Sequence, residues 1–162
     1  KNELMGQFYE EVSPSDFYRE VFLEGSFERK GCLEDSKSNG VVTVIDGEKA
    51  RNYLVFDDLE TIDDIKGTEF AIMSPVGYSG RNRTAKNARW LYGIGIDLDG
   101  VGMAQLRDVF HQMKHEFLPQ CTYCVNSGHG LHLDYLLEKP VPLYRHLHDR
   151  LRDFKYELIA KI

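Results

Sequence analysis

The sequence predicts an α+β domain: an antiparallel sheet core with helices packed on one face. Three observations carry this prediction. Val41-Val42-Thr43-Val44-Ile45 is β-branched and is followed by Asp46-Gly47 and then Tyr53-Leu54-Val55-Phe56, which reads as the two strands of a hairpin-like unit. The apolar run Trp90-Leu91-Tyr92-Gly93-Ile94-Gly95-Ile96 ends in Asp97-Leu98-Asp99-Gly100, a buried strand with charge at its tip. Residues 103–117 then carry Leu106, Val109, Phe110 and Met113 on one helical stripe, so strand, crossover helix and strand follow in turn.

The other elements follow from local spacing. Leu4, Met5, Phe8 and Val12 give residues 2–12 the pattern of a short amphipathic helix. Ser13-Pro14-Ser15-Asp16 starts a second helix that runs through Phe22, with Ser13 as its cap and Pro14 in the first helical position. Residues 25–39 read as a loop, ending in the turn signal Ser36-Lys37-Ser38-Asn39-Gly40. The acid-rich residues 57–64 read as a solvated helix or loop, and Phe70-Ala71-Ile72-Met73 as a strand. A strand beginning near Cys121 reaches Asn126, breaks at Ser127-Gly128-His129-Gly130 and resumes over residues 131–137. Lys139-Pro140-Val141-Pro142 ends it, and a last helix places Leu143, Leu147, Leu151, Phe154 and Leu158 on one face.

At 162 residues the chain is about one domain long, with an N-terminal α/β portion over 1–69 and a core portion over 70–162. Its 42% hydrophobic and 28% charged residues are those of a soluble globular chain, not a disordered one. There is no apolar run of about 18 residues, so no membrane span is expected, and no signal peptide is visible. A start at Lys1 instead of Met points to an excised fragment. Three cysteines, Cys32, Cys121 and Cys124, are too few and odd in number for a disulfide framework and fit a reducing cytoplasm. The net charge of -6 excludes a wholly basic nucleic-acid coat, so the distribution of charge matters more than its sum.

That distribution is uneven. No acid occurs from Phe70 to Ile96, while Arg81, Arg83, Lys86 and Arg89 crowd into a Gly- and Asn-rich stretch beside Tyr78. Such a loop is a candidate phosphate contact, the alternative being an ordinary solvated loop. It feeds directly into the acidic strand. There, alternation turns Asp97 and Asp99 to one side and Ile96 and Leu98 to the other. Two adjacent carboxylates repel unless a proton or a cation lies between them. In a cytosolic protein that cation is most often Mg2+ or Mn2+, which prefer oxygen ligands. The same residues also spell a strand end followed by an Asp-Gly turn, and alone they do not decide between the two readings.

A second constellation is Ser127-Gly128-His129-Gly130-Leu131-His132. Glycines let a backbone approach a ligand closely and present its N–H groups, as phosphate-binding loops do. With the strand resuming at Leu131, His132 and Asp134 share one face, and His132 is placed to grip a phosphate.

Together these stretches resemble motifs I and II of the archaeo-eukaryotic primase superfamily, the primase-polymerases, and especially the branch carried by plasmids, phages and integrative elements. The resemblance covers roughly residues 70–142. It implies a catalytic domain with an RNA-recognition-motif-like sheet and an activity of DNA primase or polymerase. Motif I in that family is a strand ending in Asp-x-Asp that binds divalent metal, here Asp97 and Asp99 with Mg2+ or Mn2+. Motif II ends in the histidine that contacts the incoming nucleotide's phosphates, here Gly130-Leu131-His132 with Ser127, Gly128 and His129 before it. DNA template and primer, nucleoside triphosphates and a replicative helicase are the implied partners. The family's motif III, a later strand-borne acid, has no match after Pro140, so either the chain is cut before motif III or the third ligand is absent.

Three rival readings use the same residues. His111, His115, Cys121 and Cys124 are spaced like zinc ligands, but strand alternation sets the two cysteines on opposite faces. A rolling-circle nickase needs two histidines with one residue between them, whereas His129 and His132 have two. A non-catalytic nucleic-acid-binding module on the primase fold is the alternative from a different functional class.

Overall fold

The computed structural model describes residues 1–32 and 37–160, apart from the His146 side chain. Ser36, at the head of the predicted turn, lies outside the described residues. The helices are α1 (Asn2–Met5), α2 (Pro14–Val21), α3 (Glu60–Ile65), α4 (Met103–Lys114) and α5 (His148–Ile159). The strands are β1 (Gly40–Asp46), β2 (Lys49–Val55), β3 (Ala71–Met73), β4 (Val76–Tyr78), β5 (Ala88–Leu98), β6 (Tyr123–Val125) and β7 (Leu131–Pro142). The fold is therefore α+β. One sheet has the order β2-β1-β3 with both pairings antiparallel, and the other has the order β4-β5-β7-β6 with antiparallel β4–β5 and β6–β7 pairs. The chain forms two compact units, one of residues 1–11, 94–137 and 144–162, the other of residues 12–93 and 138–143.

In the second of these units, local chemistry explains most elements. The Ser13 hydroxyl accepts the Asp16 N–H at 3.1 Å, Pro14 occupies the first turn, and α2 follows. Gly47, at φ 57°, closes a two-residue loop between Asp46 and Lys49, and this sets the β1–β2 register. Phe22, Phe27 and Val55 are fully buried, with the Phe22 ring 4.4 Å from Phe27 and 5.0 Å from Tyr92. The acid-rich segment proves to be anchored as well as solvated, because Ile62 of α3 is buried. β4 was not anticipated; it forms a hairpin with β5 whose loop, residues 79–87, is the basic stretch.

In the first unit, Ile94 and Ile96 of β5, Leu131 and Leu133 of β7, and Leu106, Val109, Phe110 and Met113 of α4 are all buried. This confirms the alternation of β5 as far as Leu98 and the α4 stripe. β7 lies between β5 and β6, so the expected crossover from β5 through α4 to β6 skips one strand. The N-terminal helix covers only Asn2–Met5, stopping at Gly6, a poor helix former; beyond it Phe8 and Tyr9 pack on Phe110 at 4.7 and 5.9 Å. β7 continues through Pro140 to Pro142, past the predicted stop. Among the described residues β6 pairs with residues 132–134 of β7, so Pro140 and Pro142 lie beyond that pairing, where prolines are tolerated. In α5, Leu158 is buried whereas Phe154 of the same predicted stripe is 53% exposed.

Candidate active site

β5 delivers Asp97 to its exposed end, and β7 brings His132 alongside. His132 Nε2 lies 3.0 Å from Asp97 Oδ1. The side chains are 44% and 62% exposed, so the pair contributes at most about 1 kcal/mol to stability. Its consequence is positional: with Nε2 donating to Asp97, the ring is oriented and Nδ1 is its remaining hydrogen-bonding atom. Asp99 follows the strand in the turn with Gly100, whose φ is 66°. The Asp-Gly turn is therefore real and both acids are solvent-exposed at the same strand end.

Asp134 lies two residues beyond His132 on the same face of β7 and opposite Tyr123 of β6. Its neighbour on β5 is Gly95, where a Cβ would come within 3.1 Å of Asp134 Oδ1, so the glycine makes room for the carboxylate. Burial pushes the Asp134 carboxyl up, and the nearby His132 offsets part of that. An acid raised in the folded state opposes folding once ionised. The penalty is absent below the ordinary value of 3.8, grows as pH rises through the raised one and is complete above it. Asp134→Asn is therefore expected to gain about 1 kcal/mol at pH 7, the size common when a functional group under strain is removed. That gain should vanish near pH 3, which urea melts at the two pH values would measure.

The loop between β6 and β7 is held from beneath. The Asn126 side chain accepts the Gly128 N–H at 3.0 Å, and Gly128 adopts φ 88°. That N–H is thus already occupied. Lys1 Nζ donates to the carbonyls of Gly128 at 2.8 Å and Gly130 at 3.3 Å, and Asn126 Nδ2 donates to Asn2 Oδ1 at 2.6 Å. Gly130 is buried, and a Cβ there would meet the Leu98 carbonyl oxygen at 2.5 Å and Ser127 Oγ at 3.0 Å. A close approach to the end of β5 is the physical reason for this glycine. Ser127 and His129 are exposed. Lys1 was invisible to sequence reasoning, since its neighbours lie at the far end of the chain.

The four basic residues of the loop differ in role. Arg83 Nη1 donates to Thr43 Oγ1 at 3.0 Å and the Ile72 carbonyl at 3.1 Å, and its Nη2 donates to Ser74 Oγ at 3.1 Å. Arg89 donates to the carbonyls of Lys86 and Ala88. Arg81 and Lys86 are exposed, and no carboxylate among the described residues pairs with them. Arg83→Ala is accordingly expected to cost about 2 kcal/mol of stability, read from urea melts, because three charged hydrogen bonds are lost. Arg81→Ala should leave stability within about 0.5 kcal/mol.

The zinc spacing does not close into a cage. His111 and His115 face each other at 4.3 Å, while the Tyr9 hydroxyl lies 3.2 Å from Cys121 Sγ. Cys121 precedes β6, so strand alternation does not reach it and its thiol lies beside that of Cys124, correcting the opposite-face expectation. The contact with Cys124 holds the Cys121 thiol down and pushes that of Cys124 up. Among the described residues no three His, Cys, Asp or Glu side chains converge on one point. Mg2+ and Mn2+ need less, since one or two carboxylates suffice when substrate phosphates and water complete the shell, and Asp97 and Asp99 have that donor chemistry. Among the described residues no helix is long and apolar enough to cross a membrane. Compared with known families, curated proteins and solved structures, the chain matches none.

Proposed function

We propose that this chain carries out template-directed nucleotidyl transfer, priming or extending DNA for a plasmid, phage or integrative element, as the primase-polymerases it resembles do. The observation that supports this most is the 3.0 Å contact between His132 Nε2 and Asp97 Oδ1. It joins the end of the acidic strand to the glycine-histidine stretch, the two parts that the resemblance assigns to metal and to nucleotide phosphate.

In this reading Asp97 and Asp99 would hold Mg2+ or Mn2+, which when bound would supply Lewis acidity to the attacking hydroxyl and positive charge beside the α-phosphate and pyrophosphate. His132, carrying a proton on each ring nitrogen, donates from Nε2 to Asp97 and from Nδ1 to a phosphate oxygen. The Ser127 hydroxyl and the Lys1 ammonium, which already sits at the Gly128 and Gly130 carbonyls, add donors for the triphosphate. Arg81, Lys86 and Arg89 contact nucleic-acid phosphates, and Arg83 holds their loop in shape. The setting is cytoplasmic, with DNA, nucleoside triphosphates and a helicase as partners. Primer extension and de novo priming with Mg2+ or Mn2+, using ribo- and deoxynucleotides, test the proposal: synthesis supports it, whereas DNA binding without synthesis favours the non-catalytic binding module.

A further inference from the structure

An open groove of about 710 Å3 runs along β2, the outer strand of its sheet, between α3 and the basic loop. Arg51 and Tyr53 lie two apart on β2 and so leave it on the same side. Arg81 reaches the groove from the loop. Its place is fixed through the backbone, because Asn52 Nδ2 donates to the Arg81 carbonyl at 3.0 Å while Asn52 Oδ1 accepts from Thr43 Oγ1 at 2.7 Å. By the same alternation Asn52 leaves β2 on the side opposite Arg51 and Tyr53, so the groove passes over the outer edge of β2.

We propose that this groove binds single-stranded nucleic acid, with Arg51 and Arg81 on phosphates and Tyr53 stacked on a base. Neither guanidinium pairs with a carboxylate among the described residues, although Asp64 lines the same groove. Both arginines are exposed and line one groove, so an anion lying in it meets two guanidinium groups. The guanidinium fork matches a phosphate with two parallel hydrogen bonds, which a lysine cannot do. Tyr53 is 40% exposed beside them, and an aromatic face takes any base. Asp64 opposes a second phosphate at its own wall and can accept from a sugar hydroxyl or an exocyclic amine. The open form of the groove suits a strand passing along β2 better than a free triphosphate, whose charge is concentrated at one end.

This site deepens the proposed function by adding a strand contact, and its test does not depend on synthesis. Binding of a fluorescent 12-nucleotide DNA is measured by anisotropy across a salt series, on the full chain and on Arg51→Ala/Arg81→Ala, Arg51→Lys and Tyr53→Ala. The double variant should bind at least tenfold more weakly, with a salt slope smaller by about 1.4, two phosphates at about 0.7 each for single strands. Arg51→Lys should bind more weakly than wild type but better than the double variant, and Tyr53→Ala should weaken binding about tenfold without altering the slope. Melting curves report that each variant is folded. Unchanged affinity in the folded double variant overturns the proposal, as does competition by free nucleoside triphosphate or inorganic phosphate at concentrations equal to that of the oligonucleotide. Absence of synthesis with intact, arginine-dependent binding would reject the polymerase reading alone.

Discussion

Asp97→Ala is expected to lower nucleotidyl transfer by about 1,000-fold, or ~4 kcal/mol of transition-state stabilisation at about 1.4 kcal/mol per decade. Single-strand affinity should stay within about twofold of wild type. The separation follows from where Asp97 lies. Its side chain is 62% exposed, and its pairing with His132 is too solvated to support the fold, so a change in kcat cannot be blamed on unfolding. Removing Asp97 takes away the one oxygen donor that both motif stretches share, together with the group that orients the His132 ring. Single-turnover extension measures the first effect and anisotropy the second. A parallel fall in affinity and rate would make Asp97 a binding residue and not a metal ligand.

Gly130→Ala should cost about 2–3 kcal/mol, a fall of roughly 4–12 °C in melting temperature for a chain of this size. The added Cβ would sit 2.5 Å from the Leu98 carbonyl oxygen, and strand backbone at the end of β5 gives way less easily than a side-chain tip. Gly128→Ala is the informative contrast. Nothing lies within 4 Å of a Cβ at Gly128, so only its φ of 88° resists substitution, at about 1 kcal/mol. If the two glycines instead served a phosphate alike, both substitutions would impair catalysis and neither would alter stability much.

The contrast also marks what the sequence can express. β1, α2, α4 and the apolar core of β5 were legible because each is decided within a few residues: β-branched runs, a Ser-Pro start, a stripe at helical spacing; β2 begins at Lys49, four residues before the predicted Tyr53, because the tight turn at Gly47 starts its pairing at once. The meeting of Asp97 with His132 was legible from the residues only as two polar side chains on strand faces, because their adjacency depends on β7, and not β6, lying beside β5. Gly130 looked like a ligand glycine and has a packing reason, since a close backbone approach leaves no mark in sequence beyond the glycine itself. Arg83 and Arg81 were indistinguishable as loop arginines. Their different fates depend on Thr43, Ile72 and Ser74, which are near in space but not in sequence. Likewise, Lys1 and Tyr9 meet the Gly128 carbonyl and Cys121 across most of the chain's length. The extension of β7 through Pro140 and Pro142 escaped a correct local rule, because the rule forbids proline only where the strand is paired on both edges.

Template-directed incorporation is the most direct measurement of the central claim. A labelled primer annealed to four templates, each offering a different first base, is incubated with the wild-type chain and with one extended past Ile162, in Mg2+ and in Mn2+. Addition of the complementary nucleotide on each template, abolished in Asp97→Ala, is the predicted result. No product from either chain with any nucleotide and either metal, from protein that still binds the primer-template, would contradict it.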